Sequence, residues 1–465
     1  MCAFRVGYAG VNITPHLGAP ITGYFIPRYA KGVLDELQAN ALALCCGETK
    51  LVLLSVDVCE LYRHECDAYR AQVAQATGLP VEHIILAATH THTGPMVDPY
   101  AVDKSLLQPG QALEDCEKFQ EVVRYAKFLG RRLADAAVLA LNDLKPAKMG
   151  FIQGWAPERV AYIRRYRMKD GSTMTCPPIN DPNIDHPIGE LDQRVHVLRF
   201  DREGAESVVL VNYGLHADTT NGELLSADWP GWMRKTVEKA LDGTKCIFFP
   251  GAEGDVGSTH VFPSGGDLND TEISFDNEMK SPGMARFVGR ALAGTVLQVY
   301  DKVEYIPVDS IDVLHHTVTV SANVPKPEEL PLAHKYKELH EAGRDDLIPY
   351  TAMELTTVVA EAIRMCRLEH GPKTIDLPLA GVRIGSVALV GIPGEPFTEI
   401  GVDIKAAEGW SAILPCAQVN GAQGYFPMAS AFAEGGYEAR SSNYTGDVAE
   451  NLIAGAKELL RKLHS

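Results

Sequence analysis

The 465-residue sequence lacks the features that most directly assign a chain to a class. No apolar run approaches the roughly 20 residues needed to cross a bilayer as a helix. No basic block interrupts a composition of 43 basic and 60 acidic residues, net charge −17. Such a surface repels nucleic acid and anionic membranes, so neither is expected as a partner. The ten cysteines form no Cys-x-x-Cys pair, and several lie in apolar stretches such as Ala43-Leu44-Cys45-Cys46. Scattered thiols of this kind fit a reducing compartment, where Cys acts as a small buried hydrophobe. Met1 to Thr14 lacks a basic region followed by an apolar core, so no signal peptide is read there and a cytoplasmic location is expected. There is no Gly-x-Ser-x-Gly elbow of a serine hydrolase. The glycine-spaced run Gly251-Ala252-Glu253-Gly254-Asp255-Val256-Gly257 lacks both the dinucleotide register and the Lys-Ser/Thr of a P-loop, which excludes nucleotide binding there.

What is present is an ordinary globular composition, 46% apolar and 22% charged. Short apolar runs predict strands at Arg5 to Ala9, Ala41 to Cys46, Leu51 to Val58, His83 to Ala88, His196 to Phe200, Ser207 to Tyr213 and Cys246 to Phe249. Further strands are expected at Ser310 to Val320, Gly381 to Val390 and Ala412 to Pro415. Several are apolar at nearly every position, as strands buried on both faces are. Apolar residues spaced by three and four predict helices at Glu117 to Leu144 and from Val448 onward. The expected architecture is α/β (α+β), one large domain with a mixed, mostly buried sheet core flanked by helices. A helical insertion is expected at about 326–371, long loops at 176–187 and 262–283, and no internal repeat is visible.

Two histidines mark the most informative stretch, Ala88-Thr89-His90-Thr91-His92-Thr93-Gly94-Pro95 at the exit of a buried strand. In extended backbone residues i and i+2 point the same way, so both rings can converge on one point. They read either as metal or catalytic groups or as histidines in a turn or core. His216 exits another apolar strand, and Glu395 follows a third in Pro393-Gly394-Glu395-Pro396. Glu395 is either a helix-start carboxylate or a buried one that needs a cation. Tyr425 and Tyr437 sit in or beside glycine-rich loops.

Together these motifs resemble the neutral (non-lysosomal) ceramidases, zinc-dependent amidases. The His90-Thr-His92-Thr-Gly-Pro run is similar to that family's His-Thr-His-Ser-Gly-Pro signature. Ser55-Val56-Asp57, Arg164, His216, Gly254-Asp255-Val256, Pro393-Gly394-Glu395, Tyr425 and Tyr437-Glu438-Ala439 follow in the same order. The resemblance implies a Zn²⁺ held by His90, His216, Glu395 and Tyr425, with His92, Arg164 and Tyr437 around the scissile amide. Asp57 and Asp228 are candidates to orient the histidines. Two features depart from the family. Gly257 stands where relatives carry a serine, with Ser258 one place on, and the family's C-terminal β-sandwich domain is not expected after the last motif. The implied function is a zinc-dependent hydrolase of an amide (N-acyl) bond, its substrate lipid-like or smaller and more soluble than ceramide. A hydrolase of an ester, lactone or glycosidic bond, and a silent ligand-binding protein, are the alternatives. His92, Arg164 and Tyr437 argue against the silent binder, which has no use for a proton carrier.

Overall fold

The computed structural model describes residues 4–104, 107 and 111–464; Met1 and Cys2 lie outside them. Its strands are β1 (Arg5–Asn12), β2 (Gln38–Cys46), β3 (Thr49–Val56), β4 (Ile84–Ala88), β5 (Lys145–Trp155), β6 (Arg194–Arg202), β7 (Val208–Tyr213) and β8 (Lys245–Pro250). These form the larger sheet in the order β8-β7-β6-β5-β1-β2-β3-β4, with the short strand Glu304–Ile306 alongside β5. A second sheet runs β9 (Ile311–Ser321), β10 (Thr374–Ile384), β11 (Val387–Gly391) and β12 (Ala412–Cys416).

The expected mixed, mostly buried sheet core flanked by helices is present, and the larger mixed sheet is joined in it by the four-stranded one. Their apolar faces meet in one cluster that joins Val6, Leu44, Leu53, Leu198, Leu210 and Phe249 to Val382, Ile384, Leu389 and Leu414. Helices cover both outer faces. The helices α1 (Arg63–Thr77) and α2 (Glu117–Asn142) pack over the β1–β4 half of the larger sheet. The other half is covered by α3 (Asp228–Ala240) and α4 (Pro282–Val299). The outer face of the second sheet meets α5 (Thr398–Lys405) and α6 (Val448–His464). Burial on both faces explains why the strands read as continuous apolar runs rather than alternating ones.

The strand sets share a topology. In β1-β2-β3-β4, β5-β6-β7-β8 and β9-β10-β11-β12, the first two pairings are antiparallel and the third is parallel. The parallel pair needs a crossover, supplied in turn by α1, α3 and α5. This threefold recurrence has no counterpart in sequence similarity. It delivers third- and fourth-strand ends to one edge of the molecule, and the chemistry-bearing residues lie just beyond them.

Other differences are local. Gly381 to Val390 is not one strand but the β10–β11 hairpin, because Gly385 takes φ 59° and reverses the chain. β5 escaped notice because its polar and glycine positions break the apolar run. The expected helical insertion holds Leu330–Glu341 and Ala352–Leu368, and the 176–187 loop includes the strand Ile184–Pro187. Among the described residues no helix is long and apolar enough to cross a membrane. Among the described residues eight cysteines are free, seven of them buried.

Candidate metal centre

His90 leaves β4 in the left-handed region, φ 66°, where a side chain other than glycine is strained, and such strain concentrates at functional sites. Its backbone N–H bonds to the Val58 carbonyl, which holds it against the end of β3. His216 leaves β7, and its carbonyl accepts the Trp229 indole N–H at 2.9 Å. Glu395 follows β11 in a short parallel pairing that sets it directly opposite Tyr425. Gly254 permits that turn to close: a Cβ there would lie 2.5 Å from the Glu395 carbonyl oxygen.

The four side chains come together. The His90 and His216 rings are 5.0 Å apart between centroids. Nε2 of His216 lies 3.0 Å from Glu395 Oε2, and Nε2 of His90 lies 3.4 Å from the same oxygen. The Tyr425 ring stacks on His216 at 6.4 Å and 20°. Each imidazole is oriented by a carbonyl: His90 Nδ1 is 2.8 Å from Cys59 O, and His216 Nδ1 is 2.8 Å from Glu253 O. A carbonyl only accepts, so both Nδ1 atoms carry hydrogen and both Nε2 atoms are left to face Glu395.

Three electron-pair donors directed at one point, buried, need a positive charge among them. Burial opposes a charge on His90, but Glu395 and Cys59 prevail and raise its pKa; His90 in turn holds Glu395 well below the usual carboxylate range in spite of burial. Burial and the nearby Arg164 keep His216 neutral down to about 3. Two imidazole nitrogens and a carboxylate oxygen thus converge as a donor set of the kind that binds zinc. Cys59, which also falls close to His90 and His92, approaches His90 from the Nδ1 side at 3.9 Å, away from the convergence point.

His92 adjoins this set, its Nε2 3.3 Å from His90 Nε2. Burial, then His90 and His216, hold it neutral. Its Nδ1 is buried without a hydrogen bond; the nearest charge is Asp218 Oδ2 at 3.5 Å. Arg164, rather than Arg165 or Arg167, faces the centre. Its guanidinium lies 5.4 Å from the Tyr425 ring, held by Glu438 at 2.8 Å and the Gly254 carbonyl at 2.9 Å. Arg165 and Arg167 reach Glu434 instead. Tyr437 lies 5.5 Å from Tyr425, ring to ring.

Asp57 and Asp228 stand elsewhere. Asp57 takes a bidentate pair from Arg234 at 2.8 and 2.6 Å, with the Thr89 hydroxyl at 3.2 Å, and so braces the strand end before His90. Asp228 accepts the Thr219 and Thr220 backbone N–H groups and both hydroxyls, and so shapes the loop after His216. Gly257 packs between Arg164 and Glu278, where a Cβ would come within 3.0 Å of Glu278 Oε1. Ser258 is buried.

No protein-family model matches the sequence, and no curated protein matches it either. Solved structures do. Neutral ceramidase from Pseudomonas aeruginosa aligns with a TM-score of 0.69 at 17% identity, over 99% of this chain and 75% of that one. A ceramidase complexed with C2 aligns with a TM-score of 0.70 at 17% identity, over 99% and 76%. The chain has the neutral ceramidase fold. The likeness is one of fold, and what the site does is argued from its own residues.

Sequence reasoning missed five of those. Asp218 lies two residues after His216, the same spacing that drew attention to His90 and His92. Asp276, Glu278 and Lys280 alternate with other residues in a segment read only as loop. Glu253 was passed over inside a glycine run, yet both its carboxylate oxygens are buried without a hydrogen bond, and burial pushes its pKa to about 8.

Proposed function

We propose that the whole chain acts as one catalytic domain, a zinc-dependent hydrolase that cleaves an amide (N-acyl) bond with water. The observation that carries this reading is the convergence of two Nε2 atoms on Glu395, with both Nδ1 atoms committed to carbonyls. His90, His216 and Glu395 would hold the ion, with Tyr425 beside them as the remaining donor. Zinc bound there supplies a Lewis acid and lowers the pKa of its water to about 7.

The chain's own residues do the rest. Neutral His92 takes a proton from the attacking water and returns it to the leaving nitrogen, a role that suits an imidazole beside, not within, the ligand set. Arg164 and Tyr437 donate hydrogen bonds to the oxyanion that forms as the carbonyl carbon becomes tetrahedral. Glu438, fully buried, fixes Arg164 for that purpose with the help of the Thr175 hydroxyl at 2.8 Å. The substrate is an N-acyl compound, ceramide-like or smaller and more soluble. Two buried groups flanking Gly257 fill the space a larger residue would need, so recognition next to Arg164 differs from that of a serine-bearing relative.

The test is a hydrolysis screen of N-acylated amines, amino acids and sugars, ceramide included, with zinc-loaded protein and a chelator control. Release of free amine that stops with chelator and returns with zinc is expected. Activity indifferent to chelator, or confined to esters or glycosides, overturns the assignment.

A further inference from the structure

A second buried charge cluster adjoins His92 on the side away from Glu395. Asp218, Asp276 and Glu278 would make a three-carboxylate cation nest, since one oxygen of each lies close enough to share an ion. The nest already holds a cation. Lys280 Nζ lies 2.7 Å from Asp218 Oδ2, 2.6 Å from Asp276 Oδ2, 3.1 Å from Glu278 Oε2 and 3.0 Å from the Tyr24 hydroxyl. Lys280 is fully buried, and its carboxylate partners nearly so. An ammonium is a compact charge with three donors, suited to oxygens arranged for an ion.

The nest is tied to the centre through one atom. Asp218 Oδ2, which takes the Lys280 ammonium, is the oxygen 3.5 Å from the unpartnered His92 Nδ1. The other oxygen, Oδ1, accepts the Tyr24 hydroxyl, and the Tyr24 ring packs edge-on against the His92 ring at 5.6 Å. Asp218 is therefore held at both oxygens and faces the one His92 nitrogen that nothing else satisfies.

We propose that Lys280 is the built-in second cation of this centre: its ammonium occupies the place of a second metal ion among Asp218, Asp276 and Glu278, and through Asp218 Oδ2 it positions the His92 ring. The centre then takes one exchangeable metal, not two. The role for His92 rests on the hydrolytic reading above; the occupancy of the nest does not.

The experiment compares wild type, Lys280→Ala and Asp218→Asn. Removal of the ammonium leaves three buried carboxylates uncompensated, and a divalent cation is the natural replacement. Titration of zinc-loaded protein with Mn²⁺ or Ca²⁺ should show one added site per chain in Lys280→Ala, with a rise in Tm, and neither in wild type. A Lys280→Ala protein that folds and binds no more cation than wild type overturns the proposal, as does a wild type that binds the second ion. Should Lys280→Ala need the cation in order to fold, its recovery with Ca²⁺ but not with Na⁺ supports the same conclusion, and failure with both overturns it. Asp218→Asn keeps the lysine and tests positioning. A fall in kcat of about 10–100-fold at unchanged KM and zinc content is expected, the size seen for groups that orient ligands and bases, with partial recovery in Asp218→Glu. Unchanged kcat overturns the positioning role. A wild type without zinc or amidase activity sinks the hydrolytic reading while the cation titration still decides the nest.

Discussion

Two buried charge clusters flank His92, and they are built on opposite plans. In the Asp218–Asp276–Glu278 nest the counter-charge is covalently part of the chain, within 3.1 Å of an oxygen of each of the three carboxylates. In the His90–His216–Glu395 set no lysine or arginine ion pair closes the cluster among the described residues, and Glu395 faces only the two imidazoles, raising the pKa of His90. A closed nest is structural and positions its neighbours. An open set of equally buried donors is costly without a cation and so is made for one that comes and goes.

The largest expected effects break the open centre alone. His216→Ala or Glu395→Gln should abolish stoichiometric zinc, by elemental analysis, and all measurable hydrolysis, with Lys280 still paired. Retained zinc in both variants would show that the ion sits elsewhere. His92→Ala lies between the clusters and should separate binding from chemistry: unchanged zinc, with kcat down by about 10²–10⁴-fold. A parallel loss of zinc would make His92 a ligand instead.

Protonation of the open centre also predicts a pH effect. Metal competes with it at His90, whose folded pKa is raised, so zinc affinity should fall as pH drops and binding should release protons, measurable by titration in buffers of different ionisation heat. Glu253 sharpens the contrast, since among the described residues its carboxylate has no hydrogen bond, whereas Glu278 pairs with Lys280. Its folded pKa is raised to about 8. Between its unfolded value near 4.5 and about 8, the folded chain keeps a proton that the unfolded chain has lost, so stability falls as pH rises through that window. Zinc-free Glu253→Gln lacks this loss and should gain in Tm over wild type at pH 8.5 relative to pH 5. An equal difference at both pH values would mean that the carboxylate is satisfied in solution. The smallest effect belongs to Gly257→Ser, which presses on Glu278 from 3.0 Å and should cost about 1 kcal/mol in thermal unfolding.

Much of this was legible in the sequence, for a physical reason. Strands buried on both faces write themselves as apolar runs, and β3, β4, β7 and β8 were found within one or two residues. Strand exits found His90, His216 and Glu395, with His92 beside the first, although the φ of 66° at His90 breaks the extended geometry on which the i, i+2 pairing was argued. What escaped depends on tertiary context. Gly385 divides β10 from β11 through a backbone conformation that composition does not reveal. The inner strands of the second sheet, β11 and β12, are as buried as β4 and β7, so periodicity does not separate the two sheets. Lys280 lies in a segment read only as loop, and the approach of Asp218 from a distant strand end helps make it an internal cation. Arg164 was separable from Arg165 and Arg167 only once Glu438 and Glu434 were in place to receive them.

The central claim is an open donor set for one metal beside a closed nest that needs none. Zinc-edge absorption spectroscopy on protein purified without chelator, with the metal counted per chain, tests it most directly. One zinc per chain, bound by two imidazole nitrogens with oxygen donors and absent from His216→Ala, is the expected result. Two ions per wild-type chain, a sulfur ligand from Cys59, or no bound metal at all would contradict it.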